Sequence, residues 1–308
     1  MNPDYLPEKH FNVTTAGIGA LTPGNATFSN GNTVTFNCPS GLRIRDGTEI
    51  AIRNLALVYS WQNLTAALNN NSFSYISNSV SYPVVIPNGF YTYPQFNALL
   101  QQVMVEQGQY LISPSGVNTF FINMTYDTIY SSLVIELDVV PTQLATGTYA
   151  NYTNGGSLAL TGTTMQIVFP ASNLGIYTGF PISGGTYPAT PQSVIQYYQS
   201  INPPLESNVS SVQVTCNVAN NSGISSVPNS ILSFVPNTGY EQVIGSNGNV
   251  CPLIPMFYPT AANNYNQLVF TFIDQLGNNL VITDPSNILL VISFRTLKNP
   301  ELTRLNKL

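Results

Sequence analysis

The sequence predicts an all-β protein, an antiparallel β-sandwich or jelly roll with one amphipathic helix. Apolar and polar residues alternate over many short segments, which is the pattern of half-buried strands. Turn-forming Gly, Asn, Asp and Pro residues separate these segments. Only one segment has clear helical periodicity, so strands must supply most of the core.

The strands follow a stretch that has no periodicity. Residues 1–30 contain three prolines and indicate an N-terminal arm. The first alternating segment places three apolar side chains on one face: Val34, Phe36 and Cys38. The next apolar run changes parity near Arg53. Because one extra residue moves every following side chain to the other face, we expect a β-bulge there.

The single helix is predicted to begin at a capping box. Thr92 would be the N-cap and Gln95 the third helical residue, so each side chain can bond the backbone N–H of the other. Apolar residues then recur at helical spacing: Phe96, Leu99, Leu100 and Val103. Gly108 favours the end of the helix. An amphipathic helix of about 15 residues needs a sheet to pack against.

Further strand patterns occupy the middle and the last third of the chain. Residues 120–126 and 133–139 alternate on either side of a short turn, which predicts a hairpin. Residues 212–218 and 268–272 alternate in the same way. The final segment, 288–294, is apolar on both faces, so we expect a central strand that is covered on both sides.

These patterns divide the chain into five parts. An arm at 1–30 precedes a jelly-roll core made of residues 31–75 and 205–295. Residues 76–204 contain the helix and are the candidate insertion domain, and residues 296–308 form a basic C-terminal tail. A chain of 308 residues is long for one β-domain, so its length predicts either one large domain with an insertion or two small domains.

The chain carries unusually little charge. Charged residues make up 7% of it, against about 25% in ordinary soluble domains, and the net charge is −5. An acidic body disfavours nucleic-acid binding, and few charges lower the desolvation cost of assembly. Positive charge is concentrated near the C-terminus, at Arg295, Lys298, Arg304 and Lys307. This tail is expected either to make weak contact with nucleic acid or an acidic partner, or simply to be solvated.

No catalytic, cofactor or metal site is predicted. The one histidine, His10, lies in the arm, and the three cysteines lack metal-ligand or disulfide spacing. We expect Cys38 and Cys216 to be free core thiols. Glu136 and Asp138 lie on one face of a strand and are the candidate pair for a glycoside hydrolase, although such charges more often mark a solvent-facing side.

Aromatic residues are the candidate binding residues. Tyrosine is enriched where protein surfaces meet. Four tyrosines in a Pro/Gly-rich region are interface candidates, with local loop packing as the alternative: Tyr177, Tyr187, Tyr197 and Tyr198. Trp61, the only tryptophan, could form a sugar-binding platform, although packing at a strand end is the commoner fate. A receptor- or carbohydrate-binding β-module is therefore the alternative function.

Nothing in the sequence indicates a leader or a membrane span. The first ten residues are polar and have no apolar core of the kind found in signal peptides. No run of about 18 apolar residues occurs, so no membrane-spanning helix is predicted. Synthesis inside the cell is the expectation that agrees with both observations.

Three stretches resemble the minor capsid, or penton, proteins of virophages and the related Polinton-like elements. They are 86–92, which runs into the helix, 174–181, and 281–287, which leads into the last apolar strand. Their order along the chain, with one helix between strands, extends the resemblance over residues 30–295. The arm and the basic tail fall outside it.

The resemblance implies a structural protein and not an enzyme. It implies a single jelly roll with an inserted region, and five copies around each vertex of an icosahedral particle. It also implies contact with a major capsid protein, and residence in the virion after assembly in the host cytoplasm. It implies no cofactor.

Overall fold

The structure is a computed structural model, and it describes residues 5–15, 25–207, 209–220, 228–236, 244, 255–285 and 288–298. The chain divides into two compact units. The terminal unit comprises Met1–Trp61 and Val209–Leu308, and the inserted unit comprises Gln62–Asn208. Each unit has its own sheets and its own buried side chains.

Strands account for most of the regular structure in the described residues, and helices for little of it. In chain order the strands are β1 (Lys9–Thr14), β2 (Ala26–Ser29), β3 (Thr33–Ile44), β4 (Thr48–Ala56), β5 (Ser72–Ser77), β6 (Val80–Val85), β7 (Leu111–Ile112), β8 (Asn118–Thr119), β9 (Ile122–Asp127), β10 (Ser132–Leu137), β11 (Thr153–Asn154), β12 (Gln166–Phe169), β13 (Gly185–Tyr187), β14 (Gln196–Gln199), β15 (Val212–Cys216), β16 (Ser230–Phe234), β17 (Tyr258–Pro259), β18 (Asn263–Asp274) and β19 (Leu289–Thr296). The helices are α1 (Tyr93–Glu106) and α2 (Leu174–Thr178).

The terminal unit has the strand order of a jelly roll. One sheet has the order β1-β19-β4-β17, and the other has the order β16-β15-β18-β3-β2. The first strand therefore pairs with the last, β3 with β18, β4 with β17 and β15 with β16, all antiparallel. This arrangement is one long hairpin of strands rolled into two sheets, which confirms the predicted fold class. The inserted unit leaves the jelly roll between β4 and β15.

The core of the terminal unit lies between its two sheets. Phe11 of β1 meets Phe36 of β3 with ring centroids 6.3 Å apart. The final strand, β19, lies between β1 and β4, as its apolar sequence predicts. Leu290 and Ile292 of this strand are fully buried, and so is Ser293, whose side chain points to the opposite face.

The predicted β-bulge lies at Arg53 in β4. Ile52 pairs with Ile292 and Asn54 pairs with Val291, so Arg53 is the extra residue between two paired positions. The bulge changes the face to which the following side chains point. Ile52 before it and Leu55 after it are therefore both buried, although their sequence parity differs.

Three small antiparallel sheets and helix α1 surround the core of the inserted unit. The sheets have the orders β13-β12-β5-β6, β14-β10-β9 and β11-β7-β8. Strands β9 and β10 form the predicted hairpin, in which Ile122 lies opposite Leu137 and Asp127 opposite Ser132. Aromatic side chains from several elements dominate the buried cluster, among them Phe73, Phe96, Phe121, Phe169, Tyr177 and Phe180.

Helix α1 begins with the predicted capping box. The Gln95 N–H donates to Thr92 Oγ1 at 3.5 Å, and the Thr92 N–H donates to Gln95 Oε1 at 2.9 Å. Phe96 and Leu100 are fully buried on the side of the helix that faces the core. The helix ends at Glu106, and Gly108 follows with a φ of +67°, a conformation that glycine adopts at little cost.

Replacing Thr92 by alanine is expected to lower the free energy of unfolding by about 1 kcal/mol. The change leaves the Gln95 N–H without its side-chain acceptor at the first turn of α1. Urea denaturation of the purified protein would measure the loss. Thr92→Ser keeps the accepting oxygen and should cost clearly less; equal losses in the two variants would mean that the hydroxyl is not the cause.

Several details differ from the sequence prediction. Residues 9–14 of the predicted arm form strand β1, which pairs with β19. A second helix, α2, is present, but its five residues are too few for an apolar period to appear in the sequence. Cys216 and Cys38 are both free, and Cys216 is buried as predicted, but Cys38 is only half-buried.

Candidate functional site

The candidate catalytic carboxylates lie in the inserted unit. Glu136 is in β10, and its Oε1 accepts a hydrogen bond from the Tyr197 hydroxyl at 2.9 Å. Burial and the neighbouring Glu136 carboxylate raise the pKa of Asp138. The Tyr197 hydroxyl thus engages one of the two Glu136 oxygens and joins β14 to β10 across the surface of the sheet.

The single histidine lies on the edge strand of the terminal unit. His10 is in β1, with Nδ1 2.7 Å from Ser293 Oγ of the neighbouring strand. Within the ranges that the structure describes, no group of three His, Cys, Asp or Glu side chains is placed to hold a metal ion. In the same part of the chain, no helix is both long and apolar enough to cross a membrane.

Trp61 does not offer a surface to a sugar. Its side chain is 2% exposed, and its ring stacks on Tyr59 with centroids 4.1 Å apart. A sugar platform needs an open ring face. The structure therefore contradicts a sugar-binding role for Trp61. This tryptophan follows β4 in the chain, and its ring belongs to the core.

The four interface tyrosines have different environments. Tyr177 is 2% exposed and its hydroxyl donates to the Tyr91 carbonyl at 3.1 Å, so it belongs to the core and not to a surface. Tyr187 and Tyr198 are half-buried, with ring centroids 5.4 Å apart. Tyr197 is 63% exposed. Of the four, Tyr197 is the one that presents most of its ring to solvent.

The basic residues of the tail are also placed differently. Arg295 is part of β19, and its Nε donates to Glu49 Oε2 at 2.7 Å, so this arginine is held within the terminal unit. Lys298 is exposed. Arg304 and Lys307 lie outside the described residues.

An open groove of about 700 Å³ lies beside the N-terminal end of α1. We call it the Glu206 groove. Three segments of the inserted unit that are distant in sequence line it: Tyr93, Pro94 and Asn97 of α1, Met124, Thr125 and Tyr126 of β9, and Pro204 and Glu206 after β14. Because each segment supplies only two or three residues, no local pattern in the sequence identifies the groove.

Asn63 links the start of α1 to the segment that carries Glu206. Its side chain is buried, and its Nδ2 donates to the carbonyls of Tyr91 at 2.8 Å and Glu206 at 2.6 Å. Its Oδ1 accepts from the Tyr91 N–H at 2.9 Å. Tyr91 lies just before α1, so one asparagine fixes the segment that carries Glu206 against the start of the helix.

The groove combines aromatic rings with one carboxylate. Tyr93 and Tyr126 are stacked, with centroids 4.8 Å apart and an interplanar angle of 14°. Tyr126 is 38% exposed. Glu206 Oε1 accepts from the Tyr93 N–H at 3.2 Å, and burial raises the pKa of Glu206 although this hydrogen bond acts in the opposite direction. The groove thus presents a partly desolvated acid beside an accessible ring.

The two units differ sharply in charge. Residues 62–208 contain no lysine, arginine or histidine, and their five carboxylates are Glu106, Asp127, Glu136, Asp138 and Glu206. All eight lysines and arginines therefore belong to the terminal unit, where eight carboxylates balance them. The whole net charge of −5 is thus carried by the inserted unit. This difference in charge can be counted from the sequence, but only once the boundaries of the two units are known.

An exposed apolar patch surrounds α2 in the inserted unit. It consists of Ile176, Ile182, Ile201 and Leu205, which are 43%, 63%, 74% and 51% exposed. The Leu205 N–H donates to the Ile176 carbonyl at 3.1 Å, and the backbone of Ile182 lies directly against Gly175 of the helix. We call this surface the α2 patch. It is continuous along the chain with Pro204 and Glu206 of the groove.

Comparison with known proteins gives structural matches alone, since no family model and no curated protein matches the chain. The search of solved structures returns a penton protein. The crystal structure of the selenomethionine-labelled mavirus penton protein aligns with 94% of this chain and 99% of its own, at 9% identity and a TM-score of 0.46. The 3.5 Å cryo-EM structure of the Sputnik virophage aligns with 87% of this chain and 98% of the matched chain, at 14% identity and a TM-score of 0.31. The mavirus protein is of the kind that the three sequence stretches resemble.

Proposed function

We propose that this chain is a structural subunit of a viral capsid, and that five copies form the pentameric vertex of an icosahedral particle. The observation that carries the proposal is the α2 patch on a chain with 7% charged residues. The resemblance of residues 86–92, 174–181 and 281–287 to penton proteins points in the same direction. In this proposal the protein functions by binding neighbouring subunits through complementary surfaces.

The apolar patch supports association because exposed aliphatic side chains gain free energy when they are covered. Burial of apolar surface contributes about 25 cal/mol per Å², and contiguous exposed apolar surface on a soluble protein marks interaction sites. Three of the four side chains in the patch are more than half exposed: Ile182, Ile201 and Leu205. The scarcity of nearby charge means that few ions lose their hydration when a neighbour covers the patch.

A ring of five copies requires two different surfaces on each subunit. In such a heterologous interface, a patch on one copy meets another region of the next copy, and the rotation between copies closes the ring. The α2 patch is one candidate surface, and the exposed ring of Tyr197 is another. We extend the proposal to the half-buried Tyr187 and Tyr198, to contact with a major capsid protein, and to location in the virion after assembly in the host cytoplasm.

Light scattering of the purified protein is expected to show a species of about 167 kDa, which is five copies of a 33.4-kDa chain. Negative-stain images of the same sample should show rings with five-fold symmetry. A protein that stays at the monomer mass up to high concentration would contradict the proposal.

Variants locate the interface within the same experiment. Ile201→Asp places a charge in the α2 patch, where it would have to be desolvated in the ring, so the pentamer should dissociate. Leu276→Asp is the matched control, because Leu276 is 77% exposed, against 74% for Ile201, but lies at a turn of the terminal unit. If Leu276→Asp dissociates the ring and Ile201→Asp does not, the α2 patch is not the interface.

A further inference from the structure

We propose that the Glu206 groove binds a basic side chain of the C-terminal segment 299–308 from a second copy of this chain. The segment contains Arg304 and Lys307 and lies outside the described residues. This inference adds a specific contact between copies to the proposed function. Its test does not require an assembled ring.

The charge distribution is the first argument. The inserted unit has five carboxylates and no basic residue in its 62–208 sequence, so any cation that neutralises Glu206 must come from outside that unit. Among the described residues, the acids paired with arginine are Glu8, with Arg53, and Glu49, with Arg295. Glu206 instead accepts its hydrogen bond from the uncharged Tyr93 N–H. A positively charged group on a partner would therefore complement the negative charge of Glu206 in this groove.

The terminal unit itself contains the kind of site that we infer. The guanidinium of Arg295 lies 3.8 Å from the centroid of the Phe257 ring and 4.2 Å from that of Tyr5. Its Nε donates to Glu49 Oε2 at 2.7 Å. A cation over aromatic rings beside a carboxylate is stabilised by both contacts.

The Glu206 groove has the same components without the cation. Tyr126 supplies a partly exposed ring that is stacked on Tyr93, and Glu206 supplies the carboxylate. Pro94 and Pro204 add rigid apolar wall against which the methylene groups of an arginine or lysine can pack. The volume of about 700 Å³ is ample for one long side chain and the neighbouring backbone.

The C-terminal segment is the occupant that the sequence favours. It has two basic residues, Arg304 and Lys307, against one acid, Glu301, and Lys298 directly precedes it. This charge balance is opposite to that of the inserted unit. The described chain ends at the exposed Lys298, and ten residues follow it. Ten extended residues span at most about 33–36 Å, which is the reach of the segment beyond Lys298.

A binding experiment with a synthetic peptide tests the inference. A fluorescent peptide of residues 296–308 is titrated with the full-length protein in which Arg304→Gln and Lys307→Gln prevent its own segment from competing. Fluorescence anisotropy should show saturable binding. Adding Glu206→Gln should weaken binding about tenfold, the loss expected for one charged hydrogen bond.

Matched controls separate the groove from general charge attraction. Glu106→Gln removes the same charge from the exposed opposite end of α1 and should leave the peptide affinity unchanged. Tyr126→Leu removes the exposed ring without touching the carboxylate and should also weaken binding. The amide oxygen in Glu206→Gln can still accept from the Tyr93 N–H, so this variant is expected to fold, and a thermal melt verifies it.

Three outcomes would overturn the inference. The peptide fails to bind, or Glu206→Gln and Glu106→Gln weaken it equally, or the peptide binds a single-stranded oligonucleotide in preference to the protein. The proposed function fails separately. A monomeric protein that binds the peptide through Glu206 would refute the pentamer alone, whereas a pentamer that ignores the peptide would refute only this contact.

Discussion

Phe96→Ala is expected to lower the free energy of unfolding by about 3–5 kcal/mol, because it removes a large side chain from a packed core. Phe96 is fully buried on the inner face of α1. Its ring centroid lies 5.4 Å from that of Phe73 and 5.3 Å from that of Tyr177. Truncation at this position leaves both neighbouring rings beside a cavity that the surrounding strands cannot readily fill.

Urea unfolding followed by circular dichroism measures this loss. Leu99→Ala is the matched control, since Leu99 lies on the same helix but is only partly buried against the core, and it should cost much less. A loss below about 1 kcal/mol for Phe96→Ala would contradict the packing described for the inserted unit, because truncation of a fully buried Phe side chain lowers the free energy of unfolding by more than that.

Asn63→Ala is expected to lower the free energy of unfolding by about 3 kcal/mol and also to weaken binding of the C-terminal peptide. The change removes three hydrogen bonds at once. The Tyr91 N–H and the Glu206 carbonyl lose the Asn63 side chain as a partner, whereas the Tyr91 carbonyl still accepts from the Tyr177 hydroxyl. Each buried group left in this way costs about 1–3 kcal/mol. The segment that carries Glu206 would also lose its attachment to the start of α1, so the variant should bind the C-terminal peptide more weakly.

Thermal or urea unfolding measures the stability of this variant, and the peptide titration measures its groove. Asn71→Ala is the matched control, because the Asn71 Nδ2 makes one hydrogen bond, to the Ile86 carbonyl at 3.0 Å, and its loss should cost about 1 kcal/mol. If the two variants were equally stable, Asn63 would not be the anchor that its contacts indicate.

Local signals predicted the elements whose cause is local. The capping box at Thr92 and Gln95 uses atoms within four residues of one another, and the observed helix begins where it was predicted. The hairpin of β9 and β10 follows from alternation on either side of a short turn. The bulge at Arg53 was visible as a change of parity, since a sandwich must keep its apolar side chains on the inner face.

Other predictions depended on contacts that no local pattern contains. Tyr177 lies in a stretch rich in Pro and Gly, yet its ring completes the core against Phe96 and its hydroxyl reaches Tyr91. Arg295 belongs to the basic tail by composition, but strand pairing places it opposite Glu49. The sequence placed the insertion at 76–204, whereas the compact inserted unit spans Gln62–Asn208.

By itself the sequence determined that this protein is built mainly of strands, that one helix begins at a capping box, and that few of its residues are charged. Alternation, capping and composition act over a few residues or over the whole chain, so they need no knowledge of the fold. Only the tertiary structure decided where the groove lies, because Tyr93, Tyr126 and Glu206 come from three separate segments. Side chains that are distant in sequence become one surface only when the backbone brings them together.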